Sequence, residues 1–378
     1  MKQSLLEIQS TLNISTLKEC VSKIINRRVS HIQEWTLESI SCASLNFTTE
    51  GIFRIYGSVT TLEKEIHWSL VLKIIKPEQG EKNNAQHHNY WKREALVNQS
   101  GLLTNLSDVI YTPQCYKVEK QENGLIWIWM EEIQEDNTKP WSENEFAFAA
   151  RKLGMFNGGY LLDKTTPDYT WICRQWLKSW VYGCKKYSID PSTYYSKVQN
   201  LNNINSIYNS YHYLNENLDK HFNALASLPR VLAHQDLSKQ NMYTKLHKGT
   251  KKLTLIDWQF LSISGLGEDL GKLYGVALSQ QDIPIEKGDY YQDLLFTNYI
   301  EGLRDAGWNK DSTLARYGFC ISFALRSAWE VPKLIKQTAD SIMMSDKEKM
   351  QSIEILTRIT SIQMELGKEA EKIRPVNI

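Results

Sequence analysis

Two regimes of hydrophobic spacing divide the chain. From about Ser39 to Met130 the best short patterns alternate. Trp68 to Ile75 puts Leu70, Leu72 and Ile74 on one face and Val71, Lys73 and Ile75 on the other, the period of a strand. Lys73 therefore points along an apolar face. Leu125 to Met130 is rich in β-branched and aromatic residues and follows Asn123-Gly124, a turn signal that joins it to a strand near Cys115 to Val118 as a hairpin. Between these strands, Tyr90 to Leu102 carries apolar groups at helical spacing. Glu94, four residues after Tyr90 and three before Val97, falls on or beside the buried stripe.

Beyond a polar stretch from Gln134 to Glu145 the period becomes helical, which puts a domain boundary near Glu131 to Gln134 and predicts units over 1–132 and 133–378. Ser142 and Glu145 have the spacing of a capping box, followed by Phe146, Ala150, Leu153 and Tyr160 on one helical face. One exception interrupts the helices: Met242 to Thr244 and Leu253 to Asp257 read as short strands joined by the Lys- and Gly-rich turn Lys245 to Lys252. The last helical pattern sets Ile353, Leu356, Ile359, Ile362 and Leu366 about one turn apart. This is a core-facing stripe first and a homodimer face second.

Length and composition narrow the classes. The 378 residues allow two or three compact units. With 44 Lys+Arg against 43 Asp+Glu there is no global field to draw nucleic acid or an anionic membrane, so a charged ligand must be held by a local cluster. The longest apolar run near the middle, Leu125 to Met130, is far below the roughly 20 residues of a membrane span. Polar residues also interrupt the first residues before a signal-peptide stretch forms, so a cytoplasmic location is expected. Six cysteines without C-x-x-C spacing read as small buried hydrophobes. The 12 Trp imply large stiff rings in a core or a pocket wall.

The chemistry concentrates in Val231 to Met242. An apolar run delivers a loop with His234, Asp236 and Asn241 at i, i+2 and i+7, and a second apolar run ends at Asp257, 16 residues after Asn241. Asp236, Asn241 and Asp257 are oxygen-bearing side chains at the ends of short strands. A carboxylate can orient and deprotonate a hydroxyl while an amide and a second carboxylate hold hard divalent cations.

This H-x-D-x-x-x-x-N pattern followed by Ile256-Asp257-Trp258 resembles the catalytic loop and metal-binding segment of the aminoglycoside phosphotransferase and choline kinase group, small-molecule relatives of the protein kinases. The order of parts is similar over about residues 45 to 275: a strand Lys (Lys73), a helix Glu (Glu94), then a hairpin strand ending in Met130-Glu131-Glu132. The resemblance implies an α+β, bilobal protein-kinase-like fold, with an N-terminal antiparallel β-sheet lobe carrying one helix and a larger, mainly helical C-terminal lobe. It implies transfer of the γ-phosphate of ATP, or of GTP, to a hydroxyl of a small molecule such as an aminoglycoside-like antibiotic, a sugar or an amino alcohol. Carried over by position, Asp236 is the catalytic base and His234 braces its loop. Asn241 and Asp257 bind Mg2+, Lys73 contacts the α- and β-phosphates, and Glu94 holds Lys73. Met130 to Ile133, with Glu131 and Ile133, is the hinge receiving the adenine, and Gly51 lies in the phosphate-covering loop near Asn46 to Gly57. The chain departs from protein kinases in lacking G-x-G-x-x-G and A-P-E, and Trp258-Gln259 follows Asp257 in place of Phe-Gly.

Each of these residues has a plainer reading. A strand Lys is often a solvated edge residue, and Asp269 can brace the catalytic loop or merely cap the next helix. A catalytically inactive nucleotide-binding regulator with a kinase-like fold is the alternative to the kinase. Metal-dependent hydrolysis by His234, Asp236 and Asp257 lacks the further ligands of a two-metal centre. Gly265-x-Gly267-x-x-x-Gly271 has the wrong spacing for a dinucleotide fingerprint, and no P-loop motif occurs. His87-His88 reads as a solvated loop. For the acceptor, Trp171, Arg174, Trp176, Trp180, Trp329 and Glu330 are candidates. Rings with acidic neighbours suit an amine, while Arg174 suits an anionic group.

Overall fold

The computed structural model describes every residue except 1–4, 41–47, 61–63, 107–108, 134–138, 163, 248, 342–346 and 376–378. Backbone contacts group the chain into two units. The first comprises Met1–Ala85, Asn89–Asp136 and Thr254–Gln259; the second comprises Gln86–His88, Asn137–Leu253 and Phe260–Ile378.

The first unit opens with two helices, α1 (Leu5–Thr11) and α2 (Ile14–Ile25), which the alternation reading from Ser39 onward passes over. α2 begins where Asn13 Oδ1 accepts the Ser15 N–H at 2.9 Å, an N-cap, and ends at Asn26 in the left-handed region. There follow β1 (Glu34–Ser39), β2 (Thr49–Thr60), β3 (Glu65–Ile75), α3 (Arg93–Gln99), β4 (Ile110–Tyr111), β5 (Cys115–Lys120) and β6 (Ile126–Glu131). Five strands form a sheet in the order β1-β2-β3-β6-β5, antiparallel throughout. Alternation sorts its side chains. Leu70, Leu72 and Ile74 pack with Phe53, Ile55, Trp127 and Trp129 against Leu17, Cys20 and Val21 of α2. On the other face, Ile75, Ile126 and Ile128 pack with Trp91 and Ala95.

The β5–β6 turn differs in detail from a two-residue hairpin. Gln121 N–H donates to Leu125 O and Gly124 N–H donates to Gln121 O, while only Gly124 has positive φ, at 84°. This is a three-residue loop closed by a left-handed glycine. α3 is shorter than the predicted Tyr90 to Leu102. Trp91 N–H is taken by Lys82 O before the helix starts, and Gly101 at φ 71° ends it. The expected phosphate-covering loop is corrected as well: from Thr49 the chain is already strand β2, with Gly51 at a register irregularity opposite Ile74, and Asn46 lies outside the described residues.

The second unit contains α4 (Glu143–Leu162), α5 (Trp176–Tyr187), α6 (Ser192–Tyr195), α7 (Asn202–Glu216), α8 (Leu218–Ser227), β7 (Arg230–Ala233), β8 (Met242–His247), β9 (Thr250–Leu255), β10 (Ser262–Gly265), α9 (Glu268–Ser279), α10 (Gly288–Asp305), α11 (Thr313–Ala324), α12 (Ser327–Ser341) and α13 (Lys347–Ile373). The end of β9, from Thr254, belongs to the first unit. The capping box forms as the spacing predicts: Ser142 N–H donates to Glu145 Oε2 at 2.7 Å, and Glu145 N–H reaches Ser142 Oγ at 3.4 Å. β7 and β10 pair antiparallel within the helical surroundings. α13 buries Leu356, Ile359, Ile362 and Leu366 against the core. Among the described residues no helix is long and apolar enough to cross a membrane.

Candidate active site

Each unit holds one constellation of chemically able side chains. In the first, Lys73 sits opposite Ile52 of β2 and Ile128 of β6, which makes it a mid-sheet residue and only 4% exposed. An ammonium in such a place is costly unless paired. Its Nζ lies 2.6 Å from Glu94 Oε2, in the first turn of α3, and 3.0 Å from Asp257 Oδ1. Burial alone would lower the Lys73 pKa, but the two carboxylates, Asp257 and then Glu94, outweigh it and hold the pKa above the usual lysine value. Asp257 follows β9 with φ 62°, a conformation unusual for any residue but glycine. Arg93, the first residue of α3 and fully buried, donates to Ala85 O at 2.8 Å and to Gln259 O, two residues beyond Asp257, at 3.3 Å.

At the end of β6, the Glu131 N–H donates to Gln114 O at 2.8 Å, and its Oε2 accepts from Tyr111 Oη and from Gln114 N–H. The Glu131 amide donor is thus committed within the sheet. Ile133, two residues on, makes no hydrogen bond among the described residues. Gln134 lies outside them.

In the second unit the loop after β7 is tied down at four points. His234 is fully buried, and its Nδ1 accepts the Asp236 N–H at 3.2 Å. Its own N–H and that of Gln235 donate to the two carboxylate oxygens of Asp269, each at 2.7 Å. Gln235 stands at φ 60°, and its side chain donates to Ser264 Oγ at 2.8 Å. Asn241 Nδ2 donates to both Asp236 O and Asp236 Oδ2, at 3.0 Å each. Asp269 therefore braces the loop, and the start of α9 is left to Gly267 at φ 93°, where an added Cβ would come within 2.2 Å of Ala315 O. Burial pushes the Asp269 pKa up, opposed by His234 and the two amide hydrogen bonds.

Asn241 spends both bonds of its amide N–H2 on Asp236, so its carbonyl oxygen is not used by any hydrogen bond among the described residues. The Oδ1 of Asp257 is buried, meets the Lys73 ammonium and accepts no well-aligned hydrogen bond. An amide oxygen and a carboxylate oxygen are each donor types that Mg2+ takes. Among the described residues no three His, Cys, Asp or Glu side chains gather as a metal centre.

The acceptor candidates separate. Trp176 (2% exposed) and Trp180 stack on α5 at 6.2 Å between centroids, and Trp171 stacks on Tyr169 at 5.0 Å. Arg174 is exposed and paired with Asp168 at 2.7 Å, and Trp329 is 47% exposed. His88 is not a solvated loop residue: its N–H and its ring both meet Ser179 Oγ, and its ring lies edge-on to Trp176. Pattern reading misses Lys272, whose Nζ is 3.7 Å from Asp236 Oδ1. The signal is present in the spacing, since Lys272 follows Asp269 by three residues and shares its helix face.

The fold is that of the small-molecule kinases. The structure of amicoumacin kinase hAmiN, in complex with AMP-PNP, Ca2+ and Ami, matches over 97% of this chain and 96% of its own at 12% identity and a TM-score of 0.50. Aminoglycoside phosphotransferase APH(2'')-Ib, ADP-bound, matches over 94% and 99% at 14% identity and 0.45. A choline/ethanolamine kinase family protein from Mesorhizobium loti matches over 96% and 98% at 14% identity and 0.45. By sequence, the chain belongs to the family DUF1679, described as "Uncharacterized oxidoreductase dhs-27", which matches residues 174–365, just over half of it. No curated protein matches the chain by sequence.

Proposed function

We propose that the chain transfers the γ-phosphoryl group of a nucleoside triphosphate, ATP in the first instance, to a hydroxyl group of a small molecule in the cytoplasm. The observation that carries this reading is the Asp236 loop. Its carboxylate is oriented by Asn241, its backbone is gripped by His234 and Asp269, and the whole sits on a fold shared with a kinase that binds AMP-PNP. Asp236 accepts the proton of the acceptor hydroxyl, and positioning supplies most of the rate, because phosphoryl transfer asks little covalent work of the protein. Lys73, kept charged by Glu94 and Asp257, offers a fixed positive charge to the α- and β-phosphates. Asn241 and Asp257 would hold Mg2+, which when bound neutralises charge on the phosphates. In this reading residues 1–132 serve the nucleotide, with Gly51 near its phosphates and Glu131, together with Ile133 just past that boundary, near its base, and residues 133–378 serve catalysis and the acceptor.

The alternative, a nucleotide-binding regulator without transfer, predicts no use for the double hydrogen bond from Asn241 to Asp236. The word oxidoreductase describes the protein that the family is named for. A doubly wound dinucleotide site is built on parallel strands, whereas the five-stranded sheet here is antiparallel. An Asp236→Asn variant should lose roughly 10²–10⁴-fold in phosphoryl transfer, the usual worth of a positioned base, and keep its Mg-ATP affinity by calorimetry. Undiminished transfer in that variant would remove Asp236 as the base.

A further inference from the structure

The surroundings of Asp236 in the second unit are rich in hydrogen-bond donors that the protein leaves unanswered. Lys272 Nζ stands 3.7 Å from Asp236 Oδ1, beyond hydrogen-bond reach, with its side chain 13% exposed. Among the described residues the buried indole N–H of Trp176 has no acceptor, and neither does the buried Nε–H of Arg326. Arg326 Nη2 is 3.6 Å from Glu330 Oε1, again an ion pair without a close hydrogen bond. These residues form one chain of contacts. Lys272 lies over the Trp176 ring at 5.5 Å, Trp176 stacks on Trp180, and Arg326 lies over Trp180 at 5.6 Å.

Two physical consequences follow. A buried N–H without an acceptor is destabilising, so two in one cluster call for acceptor atoms supplied from outside the chain. Burial lowers the Lys272 pKa, with Asp236 opposing and Arg326 adding to the fall, and burial raises that of Glu330, whose buried Oε2 also lacks a hydrogen-bond partner among the described residues. An anion seated beside Lys272 and Arg326 would favour the charged form of Lys272 and supply the acceptor that the two N–H groups lack. The aromatic faces that would attract an ammonium-bearing acceptor are already covered by the chain's own cations, and a second ammonium would meet like charge.

We infer that Lys272, Arg326 and the Trp176 indole N–H form a subsite for an oxyanion group, a carboxylate or a phosphate, carried by the hydroxylated acceptor. The inference rests on the phosphotransferase reading of Asp236 and sets the acceptor apart from polyamine antibiotics and amino alcohols. Lys272 and Arg326 thus select the substrate, while Asp236 acts on its hydroxyl.

The test uses the full chain with Mg-ATP and three matched acceptor sets: hydroxy acids, sugar phosphates, and amino alcohols with an aminoglycoside. Phosphorylated product is read by mass, and binding of the same compounds is read by calorimetry without nucleotide. The expected result is a kcat/KM at least about tenfold higher for one of the two anionic sets, and the better set identifies the group. Lys272→Met and Arg326→Leu should raise KM for it about tenfold or more while kcat changes less than about threefold, the split of a residue that binds and does not react. Arg326→Glu should turn preference toward the amino alcohols. Transfer to amines as efficient as to anions, or variants with unchanged KM, would overturn the subsite and leave the kinase reading standing. Binding of an anionic set that Arg326→Glu abolishes, with no transfer to anything, would keep the subsite and remove the kinase reading. Neither transfer nor anion binding would overturn the inference.

Discussion

Replacing Lys73 by Met keeps the apolar stem on β3 and removes the ammonium that Glu94 and Asp257 share. At 2.6 and 3.0 Å, and an effective dielectric constant of about 20, each contact is worth about 5–6 kcal/mol of Coulomb energy. Desolvation offsets several kcal/mol per ion. The substitution therefore costs less than the sum of the attractions. What decides it is the state left behind, a Glu94 carboxylate 4% exposed and without its cation. Breaking a buried pair in this way costs roughly 3–5 kcal/mol, a fall in Tm of roughly 6–15 °C for a unit of this size. The penalty has a pH signature. The Lys73 pKa is raised above 10.5, so its stabilising contribution is fully present below that value and constant from pH 5 to 9. In the variant, a buried carboxyl without a cation holds its proton to higher pH than in the unfolded chain, where carboxyls titrate near pH 4.3. The folded variant thus regains stability as the pH falls and loses it as the pH rises. Thermal melts followed by Trp fluorescence should show the gap to wild type narrowing by about half between pH 8 and pH 5, and Lys73→Met/Glu94→Gln should recover part of the loss at pH 8. A gap that is the same at both pH values, with no recovery in the double variant, would refute the assignment of the cost to a stranded Glu94.

Asp269→Asn replaces one of two oxygens that accept loop amides, leaving a buried N–H unpaired at about 1–3 kcal/mol. Because Asp236 is carried on that loop, kcat should fall about 10–100-fold while Mg-ATP affinity by calorimetry stays unchanged. His221 is buried, its Nδ1 meeting Tyr317 Oη and its Nε2 meeting Glu371, and burial with Arg374 and Lys220 nearby holds its pKa down at about 4. The unfolded chain takes up this proton near pH 6.5 and the folded chain only near 4, so stability should fall by about 3 kcal/mol as the pH drops through that window. His221→Gln should flatten this part of the melting profile. Gly124→Ala at φ 84° should cost about 1–2 kcal/mol, a Tm fall of a few degrees, without touching transfer activity.

Alternation and capping chemistry carried most of the fold because both are local. Trp68 to Ile75 and Leu125 to Met130 bury their side chains as their period demands, and the box at Ser142 and Glu145 closes within four residues. What local pattern misjudged was set by distant partners. α3 starts late because the Trp91 amide is taken by Lys82, and Gly51 is held in a strand by pairing along β3. The N-terminal helices went unread although Leu17, Cys20 and Val21 lie on one face, because two helices separated by Leu12 and Asn13 lack the length that makes a helical period stand out.

The site was legible in a different sense. Residue types and their order marked Lys73, Glu94, Asp236, Asn241 and Asp257, and the structure brings Lys73, Glu94 and Asp257 together in one unit and Asp236 and Asn241 together in the other. Spacing carries such residues because loop and strand ends recur at fixed intervals around a catalytic carboxylate. It does not carry selectivity. Lys272 lies 36 residues after Asp236 and Arg326 lies 90 after it, on helices whose faces are chosen by packing against Trp176 and Trp180. A lysine or arginine in a helix is ordinarily a solvated surface residue. Only burial, together with the absence of an acceptor for the Trp176 and Arg326 N–H groups among the described residues, distinguishes these two. Arg174, the candidate whose charge suits an anionic acceptor, is exposed and paired with Asp168. In the proposed reading the hydroxyl chemistry is therefore encoded in a motif and the choice of acceptor in tertiary packing. Substitutions at 272 and 326 should accordingly alter which molecule is phosphorylated without altering how.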